Sequence, residues 1–127
     1  LLGIGGFMDI WHGASMGMDT FDCTHPTRVA RHGSALVHPN QGEGRGHLNM
    51  RNSAFKEDMN PIEEGCSCYC CKTFTRAYIH HLLKAGELLS GQLLTIHNIS
   101  FMMRLARAVR ESIKNGTFEQ ERRAWGA

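Results

Sequence analysis

Hydrophobic positions along the chain change period more than once, and each change predicts a change of element. Leu1-Leu2-Gly3-Ile4-Gly5 is a short apolar run of the kind a buried strand shows. Phe7, Met8, Ile10, Trp11, Ala14 and Met18 then recur at helical spacing with Gly17 as a stop, and residues 18 to 23 read as a second strand. Strand, helix, strand is the unit of a parallel sheet with a crossover helix. A buried strand at position 1 has no earlier element to pair with, so the pattern predicts a further segment ahead of it. Asp22 falls at the carboxyl end of the second strand, the place where (β/α) barrels carry their functional groups.

Past Pro26 the regular alternation lapses. Residues 34–37 and 47–50 predict a hairpin around the turn-rich Pro39-Asn40-Gln41-Gly42-Glu43-Gly44-Arg45-Gly46, and residues 53–65 read as irregular. Thr75 is suited to cap a helix over 76–84 that Gly86 ends, and a longer helix is predicted over 93–114, before Asn115-Gly116. Leu94, Asn98, Phe101, Leu105, Val109 and Ile113 lie near one stripe of it, which should pack on the body of the domain.

Composition narrows the class. A chain of 127 residues with 42% hydrophobic residues suits one globular domain. No apolar run approaches the roughly 20 residues that span a bilayer, and the first residues lack a signal-peptide pattern, so a cytoplasmic protein is expected. The net charge is only +2, yet Arg28, Arg31, Arg45, Arg51, Lys56, Lys72 and Arg76 punctuate the middle third. That distribution suits either scattered surface charge or phosphate contact. Five cysteines, four of them within residues 66–71, fit metal ligation in a reducing compartment better than a disulfide framework.

The cysteines carry the most specific chemistry. Cys66-x-Cys68-x-x-Cys71 followed by His97 offers three thiolates and an imidazole, the closed tetrahedral set of a structural zinc ion, against the alternative of a buried thiol cluster with an unrelated core histidine. Cys70 neighbours Cys71, and adjacent side chains diverge, so Cys70 is expected to be a bystander. His80 and His81 are rival imidazoles, but on a helix they point about 100° apart and are expected to pack or make polar contacts. A metal bound this way would staple the irregular cysteine segment to the start of the long helix. Among the glycines, Gly42-x-Gly44-x-Gly46 lacks the flanking strand and helix of a phosphate loop. Gly3-x-Gly5-Gly6, between strand and helix, offers backbone donors. Asp19, three residues from Asp22, is expected on the opposite face by strand alternation.

Two blocks resemble one family. Gly17-Met18-Asp19-Thr20-Phe21-Asp22-Cys23-Thr24-His25-Pro26-Thr27-Arg28-Val29-Ala30-Arg31-His32-Gly33 is similar to the active-site segment of tRNA-guanine transglycosylases, the queuine tRNA-ribosyltransferases. The cysteine block, then Thr75 to Leu82, then Leu94-Thr95-Ile96-His97-Asn98, resembles the zinc subdomain of that family, in the same order and with a bacterial rather than eukaryotic look. The resemblance covers nearly the whole chain. It implies an α/β fold, the carboxyl-terminal part of a (β/α)8 barrel with an inserted zinc subdomain. The barrel's last strands with the active-site and tRNA loops would lie in 1–52, the zinc subdomain in 53–92, and the helical segment supplying the last ligand in 93–127.

The same resemblance implies exchange of guanine at the wobble position of a tRNA anticodon for 7-aminomethyl-7-deazaguanine, with one structural Zn2+ held by Cys66, Cys68, Cys71 and His97 and a homodimer in the full-length protein. Asp22 matches the family's nucleophile. Gly3, Ile4, Gly5, Gly6, Phe7, Met8 and Asp9, and then Thr27, Arg28, Val29, Ala30 and Arg31, match stretches that contact the tRNA. The acid/base aspartate and most base-reading residues belong upstream, so this chain alone is expected to lack a complete site. Phe7 stands where the family commonly has proline, Leu2 where it has methionine, and the loop at 39–46 is longer. Two further readings stay open: a non-catalytic zinc-structured tRNA-binding or partner subunit, and a relative that inserts a different deazaguanine elsewhere in tRNA.

Overall fold

The computed structural model describes residues 1–42 and 46–127, so Arg45 and the centre of Gly42-x-Gly44-x-Gly46 lie outside the described residues. Its elements in chain order are α1 (Phe7–Ser15), α2 (His25–Arg31), β1 (Ser34–Leu36), β2 (His47–Asn49), α3 (Tyr69–Thr73), α4 (Arg76–Ala85), α5 (Leu89–Lys114) and α6 (Phe118–Ala124), with single 3-10 turns at Pro39–Gln41 and Ser53–Phe55. The chain is a mixed α/β structure in which helices dominate. Among the described residues the named strands form one antiparallel ladder, Ser34 opposite Asn49 and Leu36 opposite His47, which is the predicted hairpin.

The opening strand–helix–strand unit is present in reduced form. Instead of two strands there is one parallel bridge, Leu2 to Asp22, closed by the Asp22 N–H donating to the Leu1 carbonyl at 3.0 Å and the Gly3 N–H donating to the Asp22 carbonyl at 2.6 Å. Parallel pairing across a helix is the topology the hydrophobic pattern implies, but a two-residue contact does not impose strand alternation on residues 18 to 23. Asp19 and Asp22 both line one groove. The closed barrel itself is not among the described elements.

Residues 25–31 also depart from expectation. They form α2, with Pro26 in the first turn where its missing N–H costs nothing, so Arg28 and Arg31 stand on a helix and not in a loop. Helix α5 begins at Leu89, four residues before the predicted start, with Gly91 inside its first turn. At the other end the buried stripe runs Leu94, Asn98, Phe101, Leu105, Val109 and then Ser112, while Ile113 is 56% exposed. A repeat of 3.6 residues makes the step after Val109 three and not four.

Two apolar cores flank α5. One gathers the hairpin, α4 and the cysteine segment around Val37, Met50, Ile62, Ile79 and Leu94; the other packs Ile10 and Trp11 of α1 against Phe101 and Leu105, closed by Phe118 and Trp125. Irregular residues 53–65 are tied down by Arg76, whose guanidinium reaches Asp58 at 3.2 Å and the carbonyls of Pro61 and Ile62. Burial pushes the Asp58 carboxyl up, but bonds from Asn60 and Arg76 outweigh it and hold the group below its ordinary value. Arg76 thus supplies what a strand or helix would otherwise provide to this segment.

This orientation of α5 sets a clear contrast. Leu105 is fully buried and Met103 is 52% exposed, so Leu105→Ala should cost about 2–5 kcal/mol and Met103→Ala roughly 0.5 kcal/mol or less in this chain. Thermal or denaturant unfolding of the two variants checks the assignment of inner and outer faces.

Candidate metal centre and nucleic-acid face

The cysteine knuckle is built on a helix start. Cys68 caps α3, its Sγ accepting the Cys71 N–H at 3.4 Å, and one turn of helix brings the Cys71 sulfur back beside it. Cys66 approaches from the preceding turn, and His97 comes across from the early part of α5. The Nδ1 of His97 lies 3.7 Å from the Cys66 sulfur, 3.6 Å from that of Cys68 and 3.4 Å from that of Cys71, and all four donor atoms lie within 4.8 Å of one another. Zinc bonds of ~2.3 Å to sulfur and ~2.0–2.1 Å to nitrogen at tetrahedral angles require a sulfur–nitrogen separation of about 3.6 Å. The residues therefore fit one structural zinc ion, with all four positions filled by protein.

The electrostatics point the same way. Burial works against a charge on His97, yet its hydrogen bonding to the three cysteine sulfurs, which accept, outweighs it and pushes the imidazole up to about 12. Burial likewise opposes ionisation of Cys66, but its contacts with His97 and Cys68 bring the thiol down to about 6. The cluster brings three sulfurs and one imidazole nitrogen to a single point, a donor set suited to a cation whose binding releases protons. Cys70 is the opposite case: burial and the neighbouring sulfurs of Cys71, Cys68 and Cys66 push it up to about 12, leaving an inert thiol in the core, as a bystander should be.

Outer contacts orient the ligands. The Nε2 of His97 donates to the Leu36 carbonyl at 2.7 Å, leaving Nδ1 to face the sulfurs. The guanidinium of Arg104 contacts both the Cys66 sulfur at 3.6 Å and the buried carboxylate of Glu63, whose other oxygen accepts the His38 N–H at 2.6 Å. Sequence reasoning did not find Glu63 or Arg104, because a single acid in an irregular segment and a single arginine on a helix carry no pattern. His80, expected to make a polar or packing contact, does so: it is buried, with Nδ1 2.8 Å from the Met50 carbonyl.

The residues matched to tRNA contact fall on two neighbouring surfaces. Gly6 caps α1, and Asp9 Oδ2 accepts its N–H at 3.0 Å. With the Gly3 N–H taken by Asp22, two of the donors that the glycine cluster offered are already engaged. Ile4 and Met8 are exposed, Phe7 is half-buried, and Gly5 is buried, where a Cβ would meet the Cys23 sulfur at 2.5 Å. On α2, Arg31 and Arg28 carry the solvent-facing charge, with Arg28 steadied by the Thr24 hydroxyl at 2.7 Å, while Ala30 is fully buried as the inner face of the helix. Thr27 and Val29 lie on the same helix between those two faces. Asp22 lines a groove of about 790 Å³ with Asp19, Cys23 and Pro26 on one side and Met102, Met103 and Arg110 of α5 on the other.

The structure is thus a mixed α/β unit stapled by a Cys3His metal cluster, with Asp19, Asp22, Arg110 and Lys114 set among apolar side chains in the groove beside it. A family model described as Queuine tRNA-ribosyltransferase matches residues 1–127, and the chain belongs to that family. It is 45% identical over 125 residues to a queuine tRNA-ribosyltransferase of Roseiflexus sp. strain RS-1, covering 98% of this chain and 31% of that protein. A Thermus thermophilus protein of the same description is 48% identical over 118 residues, with 93% and 29% covered, and that of Synechococcus elongatus 42% identical over 125 residues, with 98% and 31% covered. The chain spans about three-tenths of the length of these curated relatives. No helix among the described residues is long and apolar enough to cross a membrane.

The ligand set predicts a split between neighbouring cysteines. Cys71→Ser should lose stoichiometric zinc and Cys70→Ser should keep it, as read by metal analysis of the purified protein. Occupancy of the wild type should fall as pH is lowered, because protons compete with the metal for thiolates. Zinc retained by Cys71→Ser and lost by Cys70→Ser would reverse the assignment.

Proposed function

We propose that this chain is the zinc-structured, tRNA-contacting part of a tRNA-guanine transglycosylase, and that base exchange is completed only together with the remainder of the family's length. The observation that carries this reading is the Cys66, Cys68, Cys71 and His97 cluster inside a chain that matches the family throughout. In support, Arg28 and Arg31 project from α2 immediately after the Asp22 segment, and Ile99, Met103 and Ile113 leave an apolar row exposed on α5 that suits burial against further protein. The zinc ion, when bound, holds structure and supplies no open position for chemistry. On this reading the whole protein is a cytoplasmic homodimer built on a (β/α)8 barrel.

A second reading gives the chain the nucleophile. It is favoured by the position of Asp22, set at the parallel bridge and lining a groove. Base exchange breaks and remakes one glycosidic bond, and a carboxylate achieves this by covalent catalysis. The Asp22 oxygen attacks the ribose anomeric carbon while guanine departs with its bonding pair and takes a proton from an acid. The incoming 7-aminomethyl-7-deazaguanine, losing its ring proton to a base, then attacks the anomeric carbon from the face that guanine left, opposite Asp22, and the carboxylate departs with its bonding pair. Two displacements retain configuration. The acid/base group is assigned to the family's upstream part, although Asp19 shares the groove. Extrusion of the wobble nucleotide needs its flanking phosphates held, a task suited to Arg28 and Arg31.

Placed in a protein of the relatives' full length, wild-type sequence incubated with tRNA and a base analogue should yield a protein–RNA adduct on a denaturing gel. Asp22→Asn should yield none, because an amide neither attacks nor neutralises the developing sugar cation. An undiminished adduct, or one mapped by peptide mass to Asp19, would remove Asp22 from the chemistry.

The arginines call for a different measurement. Replacing both Arg28 and Arg31 with Ala should weaken tRNA binding and lower the slope of log K against log salt by roughly 0.7–0.9 per lost contact. An unchanged slope would count against α2 as the phosphate-contacting element.

A further inference from the structure

Asn98 is fully buried on α5, one residue beyond the metal-facing His97. Its Oδ1 accepts the Leu36 N–H at 2.8 Å, and its Nδ2 donates to the Pro26 carbonyl at 3.0 Å and to the Ser34 carbonyl at 3.1 Å. Both amide protons and the oxygen are in use. The neighbouring His97 takes the Leu36 carbonyl, so two consecutive side chains of α5 hold both backbone polar groups of one β1 residue. Through Pro26 the same amide reaches the first turn of α2, four residues past Asp22 and two before Arg28.

Helix α2 packs closely on α5 through Ala30 and the half-buried Val29, contacts that bury it without setting where its first turn sits. It is seven residues long with no side-chain cap at its start, and its buried residues are Pro26 and Ala30. A helix that short is not stable alone, and Pro26, Val29 and Ala30 give apolar burial, which is non-directional. A hydrogen bond from a buried, fully engaged amide gives direction. We propose that Asn98 is a positioning residue for the RNA-contacting segment: it locks the start of α2 to β1 and to the metal-bound helix, so that Asp22, Arg28 and Arg31 are presented in one fixed arrangement. This rests on the tRNA reading above.

Asn98→Asp keeps the shape and the acceptor for Leu36 but sets an oxygen against the Pro26 and Ser34 carbonyls; Asn98→Ala removes all three bonds. In the zinc-loaded chain, amide hydrogen exchange over residues 22–31 should rise about tenfold or more in Asn98→Asp, the effect of losing about one to two buried hydrogen bonds. Zinc stoichiometry and exchange within α5 should stay as in wild type. In the protein of full length, KM for tRNA should rise with kcat changed less, and the salt slope should remain, since the cations themselves are intact. Unchanged exchange over 22–31, or raised exchange with unchanged KM, would overturn the proposal. Loss of zinc or of the fold in both variants would equally overturn it, because Asn98 would then serve the core and not the segment. A wild type that fails to bind tRNA would sink the RNA reading, while the exchange measurement would still decide whether Asn98 holds α2.

Discussion

His97 sits between two demands that together organise the molecule: its Nδ1 faces three cysteine sulfurs and its Nε2 donates to the Leu36 carbonyl. Neither demand can be met alone at low cost. A buried imidazole without the carbonyl would be free to turn or to change tautomer, and three buried sulfurs without the imidazole would leave the metal's fourth position open. Because His97 lies on α5, the cysteine segment is fastened to the longest helix. Because Leu36 lies on β1, the hairpin is fastened to the same point. Elements distant in sequence thus meet at one residue, and residues 53–65, which lack regular structure of their own apart from a single 3-10 turn, are held within reach by Arg76.

The spine of the structure is α5, and it serves each neighbour through a different kind of contact. Toward α1 and α6 it offers Phe101, Leu105 and Val109 to an aromatic cluster that includes Trp11 and Trp125. Toward the cysteines it offers His97, and Arg104 through the Cys66 sulfur and Glu63. Toward β1 and α2 it offers Asn98, filling the hydrogen-bonding needs of a strand edge that has no strand beside it among the described residues. The acid and the arginines proposed for RNA work are carried on the side of the molecule secured by this last contact. Placement of a nucleophile and its phosphate contacts to within about 0.5 Å requires such support from behind.

Much of this was legible in the sequence where a local pattern has one physical meaning. Thr75 and Gly86 bracket α4 as expected, with the Thr75 hydroxyl accepting the Tyr78 N–H and Gly86 at a φ of +73°. The cysteine spacing and the distant histidine meet as their donor types require, and the two strands of the predicted hairpin pair. The pattern failed where tertiary context overrode it. Residues 18–23 read as a strand, yet only one bridge forms, and Asp19 and Asp22 line one groove. Residues 25–31 carry no long periodicity, and α2 was invisible because a seven-residue helix is held by its surroundings. Asn98 was visible as a polar residue on an apolar stripe, but its partners at Pro26, Ser34 and Leu36 lie more than sixty residues away and no spacing announces them.

Three thiolates and the Nδ1 of His97 close a four-coordinate site that needs no solvent. X-ray absorption at the zinc edge of the purified protein reads that first shell directly. The spectrum should show three sulfurs at ~2.3 Å and one nitrogen at ~2.0–2.1 Å, with outer-shell scattering from a single imidazole. A shell with two sulfurs and two light atoms, or with oxygen in the fourth place, would contradict it.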